Sequence, residues 1–297
     1  MEKNVKIFAS CHNHSTFSDA DYTPERLVEI AHSLGHGGII LTDHDTVSGT
    51  YFINKTARKL GMKSVLGCEF STYYNNSGVH LLGFDFNPDN SKMRELLAYG
   101  AGIQTDRTHL LFDWGLERGT LRDGISWQDV LDDNPYNTYI CNNQIFKSYM
   151  KRGIYKHEEY EDFFRTNFMS GVHDERKIAE ITGKTYRSVH TENIVNAILD
   201  AGGVPIVAHP HGCKCYVDEF LTMGVMGFET RHPDLTDDEC DFFANVCEEK
   251  NLYQMGGSDH SGVLGGNLDF GEEYICPDYK SGITEENFMK IYERKLG

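Results

Sequence analysis

Gly38-Ile39-Ile40-Leu41-Thr42-Asp43-His44-Asp45 joins a short apolar run to a histidine flanked by two carboxylates. Four other runs end the same way: Val5–Phe8 before Cys11-His12-Asn13-His14, Ser64–Leu66 before Gly67-Cys68-Glu69, Val204–Val207 before Ala208-His209-Pro210-His211, and Leu252–Met255 before Ser258-Asp259-His260. Each run is strand-like, and in β/α folds the reactive groups gather where strands end at one rim. The five ends are therefore expected to converge. Imidazole and carboxylate together suit divalent transition metals, and more than four such groups suit several ions. The pattern reads as a multinuclear metal centre.

Around these runs the rhythm is α/β. Thr23-Pro24-Glu25, with Leu27, Ile30, Ala31 and Leu34 behind it and Gly35 after, reads as a capped amphipathic helix. Strand Gly38–Leu41, a helix near Tyr51–Leu60 and strand Ser64–Leu66 continue as parallel β/α units, and strand Val79–Phe84 ends the block. From about Ser91 to Val189 strand signals become rare, and helices are expected at Lys92–Leu116, Asn142–Arg152, His157–Phe168 and Glu175–Ile181. We divide the chain into a β/α barrel, residues 1–99 and 189–297, and an inserted helical subdomain, 100–188, placed as a lid over the rim. A helix near Glu192–Ala201, strands at Val204–Val207, Gly227–Thr230 and Leu252–Met255, and helices at Asp237–Lys250 and Glu285–Lys295 complete the second block.

Composition narrows the function. With 39% hydrophobic and 12% aromatic residues in 297, the chain can build a large core. No apolar run approaches the roughly 18 residues of a membrane span, and the opening residues lack a signal-peptide pattern, so a cytoplasmic protein without a membrane partner is expected. A formal charge of −17 argues against a stable nucleic-acid partner, which needs clustered bases. The eight cysteines form no CxxC pair, and Cys213-Lys214-Cys215 is too tight for a zinc knuckle. All eight are expected to be reduced.

The spacing of His12 and His14 puts both imidazoles on one face of an extended strand. Asp43 and Asp45 flank His44, where one carboxylate can orient a ligand. Asp43 should point away from His44. His32, His36 and His190 read as ordinary structural histidines.

Cys11–Asp19 with Thr23-Pro24-Glu25, then Leu41–Asp45, resembles the opening of the PHP (polymerase and histidinol phosphatase) family. Gly67-Cys68-Glu69, His80–Gly83, Ala208-His209-Pro210 and Gly257-Ser258-Asp259 are similar to its later motifs, in order. The resemblance covers roughly 5–90 and 190–265, and more loosely the helical insert of the small phosphoesterase branch. It implies a distorted seven-stranded β/α barrel holding two or three divalent ions. By position, His12 and His14 would hold one ion and Asp19 another. His44 and His80 would complete further positions, Glu69 would bridge, and His209 and Asp259 would come from the late strands. The sequence departs from the family in three places. His260 follows Asp259 directly where Asp-x-His is usual, and we count it among the expected ligands. Ser10 stands where an aspartate is common, and His211 is extra.

The expected activity is hydrolysis of a small phosphorylated metabolite, of the nucleotide 3′,5′-bisphosphate or cyclic sugar phosphate type. A metal-bridging hydroxide would be the nucleophile, with Glu69, Asp19 and His209 as the catalytic residues around it. Arg231, His232, Lys147, Arg152 and Lys214 are the candidates for gripping a second phosphate, Arg231-His232 being best placed after a strand end. Manganese is the first choice of metal, with iron or zinc as alternatives. Three rivals stand: an amide or carbonyl-ester hydrolase using the same hydroxide, a non-catalytic metal-binding module, and more weakly a proofreading exonuclease.

Overall fold

The run Gly38–Leu41 alternates as a strand must. Ile40 packs in one core cluster, while Ile39 and Leu41 pack in another against Leu27, Val28, Ile53 and Ala57. In the computed structural model, which describes residues 6–169, 188–259 and 281–296, this run yields strand β2 (Gly38–Ile39). It pairs in parallel with β1 (Ala9–Ser10). A second sheet holds β3 (Gly67–Tyr74), β4 (Ser77–Phe84), β5 (Val189–His190), β6 (Val204–Val207), β7 (Gly227–Arg231) and β8 (Tyr253–Gly256), in the order β5-β3-β4-β6-β7-β8.

That second sheet is mixed. β4 runs antiparallel to both β3 and β6, and the remaining pairs are parallel. The sequence led us to expect parallel units with a strand at Ser64–Leu66. Instead the strand starts at Gly67, carries Glu69 inside it, and turns back through Asn75 (φ 48°) and Asn76 (φ 62°). Two consecutive positive φ values are what a tight hairpin turn needs, and asparagine tolerates them better than most residues. A seven-stranded barrel was also expected, whereas the strands fall into a two-stranded and a six-stranded sheet. The two sheets touch at both edges. Cys11 N donates to Gly256 O at 3.1 Å, and parallel bridges join Gly38 to Lys63 and His44 to Glu69.

Helix α1 (Pro24–Ser33) begins as its sequence dictates: Thr23 accepts a hydrogen bond from Arg26 N, and Pro24 needs no partner at the first turn. Helix α2 (Thr50–Lys59) follows. Between Ser91 and Asn167 the chain is strand-free, with α3 (Ser91–Glu117), α4 (Trp127–Asp133), α5 (Asn142–Lys151) and α6 (Tyr160–Asn167). These helices share a core of Phe112, Phe146, Tyr149 and Phe163. Then come α7 (Thr191–Asp200), α8 (Val217–Met223), α9 (Asp237–Lys250) and α10 (Glu285–Tyr292). The helix expected at Glu175–Ile181 lies outside the described residues.

One face of the strands packs Ala9, Leu82, Phe84, Val204, Ile206 and Met255 against Phe288 and Ile291 of α10. The opposite face packs Phe70, Leu81, Val207 and Phe228 against α7, α8 and α9. Glu69 and Glu229 interrupt this apolar lining although both are essentially fully buried. Buried carboxylates need partners.

Candidate metal centre

Glu69 finds five imidazoles. Its Oε2 lies 3.1 Å from His12 Nε2, 3.0 Å from His14 Nε2 and 3.3 Å from His44 Nδ1. Its Oε1 lies 2.9 Å from His80 Nδ1 and 3.0 Å from His209 Nε2. The hairpin explains how one carboxylate meets both late and early ligands: β4 returns His80 opposite Ser71, on the face that carries Glu69. Asp259 joins from beyond β8, with Oδ1 at 3.0 Å from His14 Nε2 and 3.5 Å from His12 Nε2. Asp19 approaches from the other side, at 3.4 Å from His14 Nδ1 and 3.7 Å from His44 Nε2.

Backbone is bent to build this cluster. Asp45, His209 and Asp259 all have left-handed φ values, of 50°, 25° and 50°. Such conformations cost a non-glycine residue on the order of 1–3 kcal/mol and persist where surroundings over-determine them. For His209 the determinant is Glu229, whose Oε2 accepts from His209 N at 2.7 Å. At Gly257 the chain passes so close to His12 that a Cβ would sit 2.3 Å from its backbone nitrogen. Glycine is required there by space rather than by φ.

The electrostatics are those of a crowded buried site. Burial alone would raise the Glu69 carboxyl, but His44, His12 and His80 hold it well below the ordinary carboxylate range. Asp259 is depressed in the same way, by His12, His14 and His232 against its own burial. His12 is pushed well up although burial opposes this, because Glu229, Glu69 and Asp259 surround it. His44 goes the other way: burial takes it down to about 4 against the pull of Glu69 and Asp19.

This donor set fits divalent ions. A carboxylate oxygen has about two acceptor positions, yet Glu69 Oε2 faces three imidazole nitrogens. Among the described residues the buried His44 Nδ1 makes no hydrogen bond. Atoms ligating one ion at about 2.1 Å lie roughly 3.0–3.4 Å apart, which is the spacing found here. Among the described residues four overlapping groups of potential ligands follow: His12, His14, Glu69 and Asp259; His12, Glu229 and His232; His14, Asp19 and His44; His44, Glu69 and His80.

The structure thus brings His12, His14, Asp19, His44, Glu69, His80, His209 and Asp259 together. His260 lies outside the described residues. Of the expected phosphate grips, His232 enters the cluster, its Nε2 at 3.4 Å from Asp259 Oδ2, and Arg231 is buried beside it on β7. The other three bond elsewhere: Lys147 to Ala20 O and Asp21, Arg152 to Asp129 and Asp133, and Lys214 to Asp238 O. His211 is two-thirds exposed and pairs with Glu239. Asp43 does point away from His44, accepting from Ser15 N, Ser15 Oγ and Ser18 Oγ at 2.7–2.8 Å. Ser10 bonds Asn13 and Ser258 rather than a histidine.

Glu229 was missed. Its Oε2 is 3.1 Å from His12 Nδ1, so His12 presents Nε2 to Glu69. The available signal was a lone carboxylate inside the apolar strand Gly227-Phe228-Glu229-Thr230, a poor position for a charge without a partner.

Known proteins are similar to this chain over most of its length. The chain is 26% identical over 260 residues to a phosphoribosyl 1,2-cyclic phosphate 1,2-diphosphodiesterase of Eggerthella lenta, covering 86% of this chain and 94% of the relative. It is 25% identical over 288 residues to a 5′-3′ exoribonuclease of Haemophilus influenzae, covering 89% and 95%. Its fold matches a crystal structure from Bifidobacterium adolescentis, named for metal-dependent phosphoesterase activity, with a TM-score of 0.73 at 24% identity over 95% of this chain and 94% of that one. The PHP domain model matches residues 10–165, more than half of the chain and a span that includes His12, His14, Asp19, His44, Glu69 and His80. The chain is a member of the PHP domain family.

Proposed function

We propose that this protein is a metal-dependent phosphoesterase that hydrolyses a small phosphorylated metabolite, of the cyclic sugar phosphate or nucleotide 3′,5′-bisphosphate type. One observation carries the reading: the two oxygens of Glu69 divide five imidazoles into a set of three and a set of two. A carboxylate so placed would serve neighbouring ions. His12, His14 and Asp259 would hold one ion, His80 and His209 a second, and Asp19 with His44 a third. Manganese is the first candidate, with iron or zinc behind it. Divalent ions, when bound, would supply a hydroxide nucleophile at neutral pH and offset the charge on the phosphoryl oxygens.

The chain's own residues do the rest. Glu229 fixes the His12 ring and the His209 backbone, so neither has to reorganise during turnover. His232 and Arg231, next to Asp259, are assigned to a phosphate oxygen of the substrate. The backbone contacts through Cys11, Lys63 and Glu69 support one distorted barrel made from both sheets, and the contacts of residues 137–147 with the Asp19 loop support the helical segment standing beside its rim. Among the described residues no helix is long and apolar enough to cross a membrane. We place the protein in the cytoplasm.

The relation to a 5′-3′ exoribonuclease supports a second reading in which the substrate is the 5′ end of an RNA. The charge of −17 favours the small metabolite, because a long phosphate backbone would be repelled away from the ions. Metal content and phosphate release should be measured on manganese-loaded protein. The substrates are a cyclic ribose phosphate, a nucleotide 3′,5′-bisphosphate, simple monoesters and a 5′-phosphorylated RNA oligomer. Two to three ions per chain with turnover of the cyclic phosphate or the bisphosphate is the expected result. Preference for the RNA would install the second reading. Failure to turn over any phosphate ester would remove both.

A further inference from the structure

Helix α5 and the loop before it grip the segment that carries Asp19. Asn137 Nδ2 donates to Thr16 O at 2.6 Å, and Gln144 Nε2 donates to the carbonyls of Thr16 and Ser18. Asn143 Nδ2 donates to the Asp19 carbonyl itself. Lys147 Nζ donates to Ala20 O at 2.9 Å and pairs with Asp21 at 3.3 Å. Five main-chain or side-chain acceptors between Thr16 and Asp21 are thus held by residues more than 115 positions away in sequence. Asn143 and Gln144 are almost fully buried at this contact, so solvent does not compete for their bonds. The same loop also reaches the His44 strand end: Tyr139 stacks on the His44 ring at 6.0 Å, and Thr138 Oγ1 meets Thr46 Oγ1 at 2.9 Å.

From the strand side, the Asp19 loop is held at Ser15 and Ser18 by Asp43, upstream of Asp19 itself. It follows a loop rather than a strand end, and among the described residues its carboxylate meets Ser18, His14 and His44. A ligand on a loop is only as well placed as whatever holds the loop.

We propose that Asn137, Asn143, Gln144 and Lys147 are positioning residues that set Asp19 in place for its ion, so that the helical segment completes the metal centre as a fixed wall. Lys147 is thereby a loop anchor rather than a phosphate grip. The inference rests on the reading of Asp19 as an ion-holding residue.

The test uses full-length Lys147→Met, Asn143→Ala and Asn137→Ala, with Asp19→Ala beside them. Manganese stoichiometry and stepwise affinity are measured by titration, hydrogen exchange is followed over residues 15–21, and thermal midpoints are recorded. Each positioning variant is expected to weaken one ion by about 10–100-fold and leave the others unchanged. Faster exchange of amides 16–21 should accompany it. Asp19→Ala should lose that same ion. If Asp19→Ala keeps every ion at wild-type affinity, the underlying reading of Asp19 is wrong. If it loses one ion while the positioning variants bind all of them normally, the clamp is wrong. Uniform weakening of all ions with a lowered thermal midpoint would also overturn the clamp, as a purely structural effect. Should Lys147→Met fail to fold, Asn137→Ala decides, since its half-buried side chain makes one bond to this loop.

Discussion

Glu229 Oε2 sits 3.1 Å from His12 Nδ1 and 2.7 Å from His209 N, joining two strand ends through one buried carboxylate. Glu229 is depressed below the usual glutamate range even though burial works against it, because His12, His232 and His209 face it. It is ionised where it sits and can hold the His12 proton on Nδ1. Glu229→Gln keeps the shape and removes the charge. Metal affinity should fall about 10–100-fold, read by titration, and the metal-free protein should lose stability as well, because His12 is left without its buried counter-charge.

Glu69 has a larger predicted effect. Glu69→Gln replaces an oxygen that faces two imidazoles, or three, with an amide group that repels an ion. At least one ion per chain should be lost, with turnover reduced by roughly 10²-fold or more. Elemental analysis alongside a phosphate-release assay checks both. Normal ion content with normal turnover would remove Glu69 from the centre.

Gly257 separates the centre from its scaffold. Gly257→Ala drives a methyl group into the His12 backbone. Overpacking of this kind costs about 1–3 kcal/mol. The midpoint of thermal unfolding should drop by several degrees, and metal affinity should fall with it because His12 is the displaced residue.

His36 gives a pH dependence that is independent of the ions. It is buried on the α1 side of the fold and burial lowers it from the ordinary 6.5 to about 4. The neutral ring is the form the folded state accepts. Its contribution is therefore complete above pH 6.5 and is lost as pH falls through the window from 6.5 to 4. The limit of that loss is on the order of 3 kcal/mol. Denaturant unfolding of wild type and His36→Gln at pH 7 and pH 4.5 should show the difference in stability shrinking or reversing at the lower pH.

Most of the centre was legible because its ligands follow apolar runs. His12, His14, His44 and His209 each interrupt a pattern that a core alone would not interrupt. His80 and Asp19 needed the family resemblance, since neither stands at a strand end: His80 lies inside β4 and Asp19 on a loop. The hairpin was hidden because the expected strands, Ser64–Leu66 and Val79–Phe84, left residues 67–78 unassigned, and only the positive φ pair at Asn75 and Asn76 shows a reversal. Glu229 and Gln144 were illegible for a shared reason. A polar residue on a strand or at a helix start is ordinarily solvated or a cap, and the partner that reveals each one, His12 for Glu229 and Ser18 for Gln144, is more than 100 residues away.

The Asn75-Asn76 turn acts as a ruler for the reaction centre. Side chains alternate along β4, so its length decides whether His80 meets Glu69 or faces the packing helices. Changes of residue type in that turn should be absorbed at the surface. A single inserted or deleted residue would rotate every later position of β4 by half a turn, taking one imidazole out of the centre and putting Val79 or Leu81 in its place. Evolution and engineering are therefore free to rewrite the letters of this surface turn but not its count, although it lies at the far end of the hairpin from Glu69.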